Sequence, residues 1–207
     1  MEQSYTNTNG ERVVEVDFIC KMINKYAMVA SSILDVGGVP TDPSNNRDIN
    51  RLFTSKNLKY DICDFRGGRY VGNFVELPIE DKYDIVIFLS SLEHFPLCTE
   101  GDMVFRENED INGFRKALSI LKDDGKIFLT VPFGEPTWQP YHQNYDISRI
   151  YSMSSGSKLL EHYTYKLCYD NSWLLTEPTN FKNIFYTNKA FGVGCFVFQK
   201  ELIWKKH

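Results

Sequence analysis

Four short apolar runs constrain this chain more than anything else in it. They are Ser32-Ile33-Leu34-Asp35-Val36, Tyr83-Asp84-Ile85-Val86-Ile87-Phe88-Leu89, Lys126-Ile127-Phe128-Leu129-Thr130-Val131 and Val193-Gly194-Cys195-Phe196-Val197-Phe198-Gln199. Each is too short for a helix that buries itself, and several are bounded by glycine or proline, as buried strands are. Between them lie segments of helical period: Val16, Ile19, Cys20, Ile23 and Ala27 within 13–27, and Ile111, Phe114, Ala117, Leu118 and Leu121 further on. Strands alternating with helices predict a mostly parallel sheet covered on both faces.

The weaker segments fill in around this frame. Leu58–Phe65 and Tyr70–Val75 read as two further strands, and 41–57 as a loop with one short helix. Asp123-Asp124-Gly125 is expected to end the helix after Leu121, with Gly125 in the left-handed position. Ser154–Tyr163 reads as a helix and Tyr165–Tyr169 as a strand.

At 207 residues, 43% apolar and 24% charged, the chain suits one well-buried domain rather than disorder or two domains. The expected division is an N-terminal arm and helix over 1–30, a ligand-binding core over 31–131, and acceptor-side loops and last strands over 132–207. A net charge of −4 argues against a general nucleic-acid binder. The five cysteines form no C-x-x-C pair, as expected of reduced thiols in a cytoplasmic protein. No apolar run approaches the roughly 20 residues of a membrane helix. The expected partner is a small molecule, with no nucleic acid and no membrane, and a homodimer remains open.

In such sheets ligands bind beyond the carboxyl ends of the strands. Four of those ends carry chemistry. Asp35-Val36-Gly37-Gly38 would turn sharply and bring backbone amides close to a ligand. Asp64, or Asp61 if the strand register differs, could accept both ribose hydroxyls of an adenosine. Asn73 could hydrogen-bond an adenine edge. Ser90-Ser91-Leu92-Glu93-His94 follows the Tyr83–Leu89 strand. A nicotinamide dehydrogenase is disfavoured, because Val39-Pro40-Thr41 stands where later glycines of G-x-G-x-x-G belong.

The order of these blocks, ILDVGG, VGNFVELPIEDKYDIVIFLSSLEHF and ALSILKDDGKIFLTVPFG, resembles the class I S-adenosylmethionine (SAM)-dependent methyltransferases over Ile33–Val131. The resemblance implies a Rossmann-like class I methyltransferase fold, α/β, with a mostly parallel seven-stranded sheet and helices on both faces. It implies SAM as cofactor, with Asp35, Gly37, Gly38, Asp64, Asn73, Ser90 and Ser91 as cofactor-binding residues. Two departures stand out: the third glycine of D-x-G-x-G is missing, and Asn73 replaces the usual Asp near the adenine. Stretches around Gly101-Asp102 and Arg149-Ile150-Tyr151 are similar to a small bacterial branch of the family.

Methyl transfer needs the acceptor held in line with the reactive methyl and, for a hydroxyl, a base. His94 and His142 lie after strands that should open on one mouth and are the candidate bases. Tyr145 and Arg149, with Trp138, Tyr141 and Tyr151, suit a sugar or phosphorylated acceptor, since Arg pairs an oxyanion through two donors. Arg66-Gly67-Gly68-Arg69 is a solvated turn that could also meet a phosphate. Some branches of the family hold magnesium with E-x-x-E-H and a later His. Here Ser90 replaces the first Glu, so a divalent metal would have only Glu93, His94 and His142, an incomplete set. The resemblance thus implies O-methylation of a small polar metabolite, including intermediates of capsule and surface-polysaccharide biosynthesis such as O-methyl phosphoramidate. N-methylation, or a catalytically silent binding module, are the alternatives.

Overall fold

A computed structural model describes residues 1–2, 4–6, 10–38, 47–96, 105–137, 143–178 and 192–201. In chain order the elements are β1 (Ser4–Thr6), α1 (Arg12–Tyr26), β2 (Ser32–Val36), α2 (Arg47–Ser55), β3 (Lys59–Asp64), β4 (Gly67–Gly68), β5 (Tyr70–Val71) and β6 (Tyr83–Leu89). A 3-10 turn (Leu92–His94) follows, then α3 (Glu109–Ile120), β7 (Leu121–Pro132), α4 (Ile147–Met153), β8 (Ser157–Leu167), β9 (Ser172–Thr176) and β10 (Gly192–Lys200).

Nine of the strands form one sheet in the order β1-β9-β8-β10-β7-β6-β2-β3-β5. From β5 to β7 every pairing is parallel. From β7 to β1 every pairing is antiparallel. The expectation of a mostly parallel, seven-stranded sheet is therefore corrected to a larger mixed one, half of it antiparallel. The chain lays β3 and β5 on one side of β2, then crosses back to place β6 on the other side. The connections thus part between β2 and β6, where an α/β sheet opens a crevice.

Side chains alternate between two cores, which is why these strands read as unbroken apolar runs. On one face Ile33, Ile85, Ile87, Phe128, Cys195 and Val197 pack under Val14, Phe18, Ile19, Met22 and Ile23 of α1 and Ile49 and Phe53 of α2. On the other, Leu34, Val36, Val86, Phe88, Ile127, Leu129, Phe196 and Phe198 meet Phe114, Ala117 and Ile120 of α3 and Ile150 and Met153 of α4. Truncating Phe114, fully buried between α3 and the sheet, should cost about 3–5 kcal/mol.

Three local expectations are revised. Residues 154–163 are not a helix: the helix is α4, started by Asp146, whose carboxylate accepts from the Arg149 N–H at 2.7 Å. Strand β8 follows it, because Thr164 and its aromatic neighbours pair along β10 and β9. The Tyr70–Val75 strand stops at Val71: Gly72 has φ 136°, and Asn73 closes a turn by accepting from the N–H groups of Glu76 and Leu77. Helix α3 ends at Ile120, and the left-handed residue after it is Asp124 (φ 60°), not Gly125.

Candidate active site

A cleft of about 310 Å³ opens at the carboxyl ends of β2, β3 and β6. Its wall includes Val36 and Gly37 after β2, Cys63, Asp64 and Arg66 at the end of β3, Gly72 and Asn73 after β5, and Ser90, Ser91 and His94 after β6. Arg12 reaches it from α1, while Phe65, Phe74 and Phe95 supply apolar walls.

Gly37 is required twice over. Its φ is +84°, and a Cβ there would lie 2.5 Å from the Cβ of Ser91. Its N–H donates to the Cys63 carbonyl at 2.8 Å, and the Ser91 hydroxyl donates to the Val36 carbonyl at 2.6 Å. The turn is thus clamped between β3 and β6. Asp35 and Gly38, expected to contact a cofactor, are not among the described residues that line the cleft and instead pack against each other behind this turn. A Cβ on Gly38 would meet Asp35 Oδ2 at 2.6 Å. Asp35 is buried, accepts from the Tyr60 hydroxyl at 2.7 Å, and leaves Oδ1 without a partner among the described residues. Burial pushes its carboxyl up to about 6, against the Tyr60 bond and the Arg12 charge.

The structure separates the two strand carboxylates. Asp64 faces the cleft, accepting from the Arg66 N–H at 2.8 Å and its Nε at 3.0 Å. Asp61 lies away from it, holding Arg69 at 2.9 Å and the Tyr83 hydroxyl at 2.9 Å. Asn73 lines the cleft, with its Oδ1 accepting from the Val75 N–H at 3.1 Å.

After β6 the chain takes an unusual path. Ser90 has φ +45°, a conformation non-glycine residues seldom adopt, and its N–H donates to the Thr130 carbonyl at 3.1 Å. That turns its hydroxyl under the cleft onto Glu15 of α1. Glu15 is fully buried and also accepts from Thr130 Oγ1 at 3.1 Å, while its other oxygen pairs with Arg12 at 3.1 Å. Burial raises the Glu15 carboxyl, and Arg12 and the Ser90 bond oppose the shift. Glu93 is buried with Oε2 unpartnered, and its Oε1 is 3.8 Å from Nε2 of the half-exposed His94. Burial pushes Glu93 up to about 8, with Glu15 adding to the rise.

Two expected acceptor residues sit apart from the cleft lining. Tyr145 and Arg149 do not line the cleft. Tyr145 is completely buried and takes a bond from Gln143 Nε2 at 2.6 Å. Arg149 clamps the buried Asp110 through Nε (3.1 Å) and a second nitrogen (2.6 Å), and reaches Asn108 at 3.1 Å. Gln143 completes the cage by donating to Asp110 at 2.7 Å. A buried aspartate at the start of α3 needs such donors, and these bonds hold Arg149 and Gln143 at Asp110. His142 lies outside the described residues, as do Trp138 and Tyr141. Among the described residues no three His, Cys, Asp or Glu side chains gather as a metal site would require.

Sequence reasoning missed Arg12, Glu15 and Thr130. The signal was present: Glu15 sits in a stripe that otherwise buries Val14, Phe18, Ile19 and Met22, and a carboxylate there must have a buried partner.

With this geometry in hand, solved structures supply the comparison. A SAM-dependent methyltransferase from Clostridium acetobutylicum superposes with a TM-score of 0.57 at 11% identity, covering 94% of this chain and 94% of that one. One from Archaeoglobus fulgidus gives a TM-score of 0.57 at 11% identity, covering 94% and 96%. The N-methyltransferase NodS from Bradyrhizobium japonicum, in complex with S-adenosylhomocysteine, gives 0.52 at 8% identity, covering 94% and 90%. No family model and no curated protein matches the sequence. The chain has the Rossmann-like class I methyltransferase fold. Among the described residues no helix is long and apolar enough to cross a membrane.

Proposed function

We propose that this protein is a SAM-dependent methyltransferase acting on a small polar acceptor. The observation that carries the reading is the cleft at the β2–β6 parting, which combines a clamped glycine turn, a strand-end carboxylate and an amide against aromatic walls. Its volume of about 310 Å³ lies at the lower end of the roughly 300–1,000 Å³ usual for small-molecule sites. The donor set fits the cofactor: Asp64 suits the ribose diol, Asn73 the adenine edge, Phe74 and Phe95 the ring faces, and Arg12 the amino-acid carboxylate. Once bound, the sulfonium supplies a methyl group activated for in-line displacement.

The protein's own part is positioning and proton removal. His94, half-exposed at the cleft, is the group suited to accept a proton from an acceptor hydroxyl, which favours O-methylation. Arg66, which lines the cleft, would be the guanidinium available to a phosphorylated or sugar acceptor once it leaves Asp64. A role in surface-polysaccharide synthesis rests on the sequence resemblance alone.

Calorimetric titration with S-adenosylhomocysteine tests the cofactor assignment. Saturable binding is expected, weakened about tenfold or more by Asp64→Ala, the loss of a charged hydrogen-bond acceptor worth about 1.5–3 kcal/mol. No heat at millimolar ligand would instead support a silent fold acting as a binding module.

A further inference from the structure

Beneath the cleft, two buried carboxyl groups flank one hydroxyl. Glu15 comes from α1, Glu93 from the 3-10 turn, and Ser90 interacts with both. Glu15 is complete: Ser90 and Thr130 serve one oxygen and Arg12 the other. Glu93 is not, because its Oε2 is buried without a partner although the residue is only 2% exposed. Its carboxyl lies against Ser90 and His94, both of which line the cleft.

The groups facing Glu93 explain its state. Glu15 and Arg12 approach from α1, His94 from its own turn, and Tyr145 from the loop after β7, with Asp110 of α3 behind Tyr145. Arg12 already balances Glu15, so among the described residues no cation remains for an ionised Glu93 apart from His94 at 3.8 Å. A buried carboxylate with an empty oxygen is strongly disfavoured, so Glu93 keeps its proton.

We propose that the Glu15–Ser90–Glu93 cluster is a proton-linked cation site: a cationic group settling beside Ser90 supplies the missing charge, Glu93 ionises, and its proton leaves to solvent. The inference rests on the cofactor reading above, since SAM carries two candidate cations, its sulfonium and its ammonium. No covalent bond changes; one cation enters and one proton departs.

The test is calorimetric titration of the full chain near neutral pH in phosphate and in Tris, whose ionisation enthalpies differ. Three ligands serve: SAM (both cations), S-adenosylhomocysteine (ammonium only) and 5′-methylthioadenosine (neither). The account expects release approaching one proton for SAM and none for methylthioadenosine. Equal release with S-adenosylhomocysteine assigns the ammonium; markedly less assigns the sulfonium. SAM affinity should rise by up to tenfold per pH unit from pH 6 towards pH 8, then level off. Glu93→Gln should remove both the buffer-dependent heat and the slope. Proton release that persists in Glu93→Gln would reassign the proton, to His94 for instance, and overturn the proposal. Binding of all three ligands with identical heats in both buffers overturns it while leaving the cofactor reading intact. Failure of all three to bind removes both. If Glu93→Gln does not fold, the wild-type buffer comparison decides alone.

Discussion

Two buried carboxyl groups lie on either side of Tyr145, and they are built differently. Asp110, at the start of α3, is caged by two nitrogens of Arg149 and by Gln143, itself bonded to Tyr145. Glu93, after β6, has an oxygen with no donor among the described residues. Both residues are shut away from solvent. One is finished, as buried charge in a structural core must be; the other is left open, and it is the one that lies behind the cleft. Incomplete satisfaction next to a ligand-sized crevice is what a functional group looks like when its partner comes from outside.

Breaking the finished cluster should have the largest effect. Arg149→Ala strands Asp110 as an unpaired buried charge and should cost about 3–5 kcal/mol, which differential scanning calorimetry would register as a fall in Tm of roughly 6 °C or more. S-adenosylhomocysteine affinity, measured well below that transition, should hardly change. A variant that stays fully stable but loses ligand binding would return Arg149 to the acceptor site.

The open cluster should respond in the opposite sense. The folded Glu93 pKa, pushed up to about 8, lies above the ordinary value of 4.5, so the native state binds the proton more tightly than the unfolded chain. Below the unfolded value both states are protonated and Glu93 is neutral in its effect. As pH rises from there towards 8, wild-type stability falls relative to a variant without the carboxyl. Glu93→Gln should therefore melt higher than wild type, by an amount that grows between pH 5 and pH 8.5. A difference independent of pH would mean Glu93 is already ionised in the folded protein.

Smaller effects distinguish the two strand carboxylates and the histidine. Asp61→Ala, which removes the partner of Arg69 and Tyr83, should lower stability by about 1 kcal/mol without touching S-adenosylhomocysteine affinity, unlike Asp64→Ala. Once an acceptor is found, His94→Ala should lower kcat by about 10²-fold, with cofactor affinity nearly unchanged. A reversed pattern would make His94 a support for the turn.

How much of this was readable from residues alone follows burial. Ser32–Val36 and Tyr83–Leu89 could be placed to the residue, because strands buried on both faces leave unbroken apolar runs between polar ends. Those ends then located Gly37 and Ser90 at one mouth, where the structure also brings Asp64 and Asn73. Where one face meets solvent the pattern blurs: Ser157–Leu167 has mixed burial, so its residues up to Tyr163 read as helix and only its end as strand, and the pairing with β10 decides it. Roles set by distant partners were unreadable. Nothing local tells Arg149 that its partner is Asp110, 39 residues earlier, or Ser90 that Glu15 lies 75 residues before it. The same holds for Gly37, whose neighbour Ser91, 2.5 Å from any Cβ there, follows a strand far along the chain.

A crystal structure of the protein grown with S-adenosylhomocysteine tests the central claim most directly. The account predicts the ribose hydroxyls on Asp64, with the Arg66 side chain displaced from that carboxylate and the amino-acid end between Gly37 and Arg12. Density for the ligand elsewhere, or a cleft still closed by Arg66 on Asp64 under saturating ligand, would contradict it.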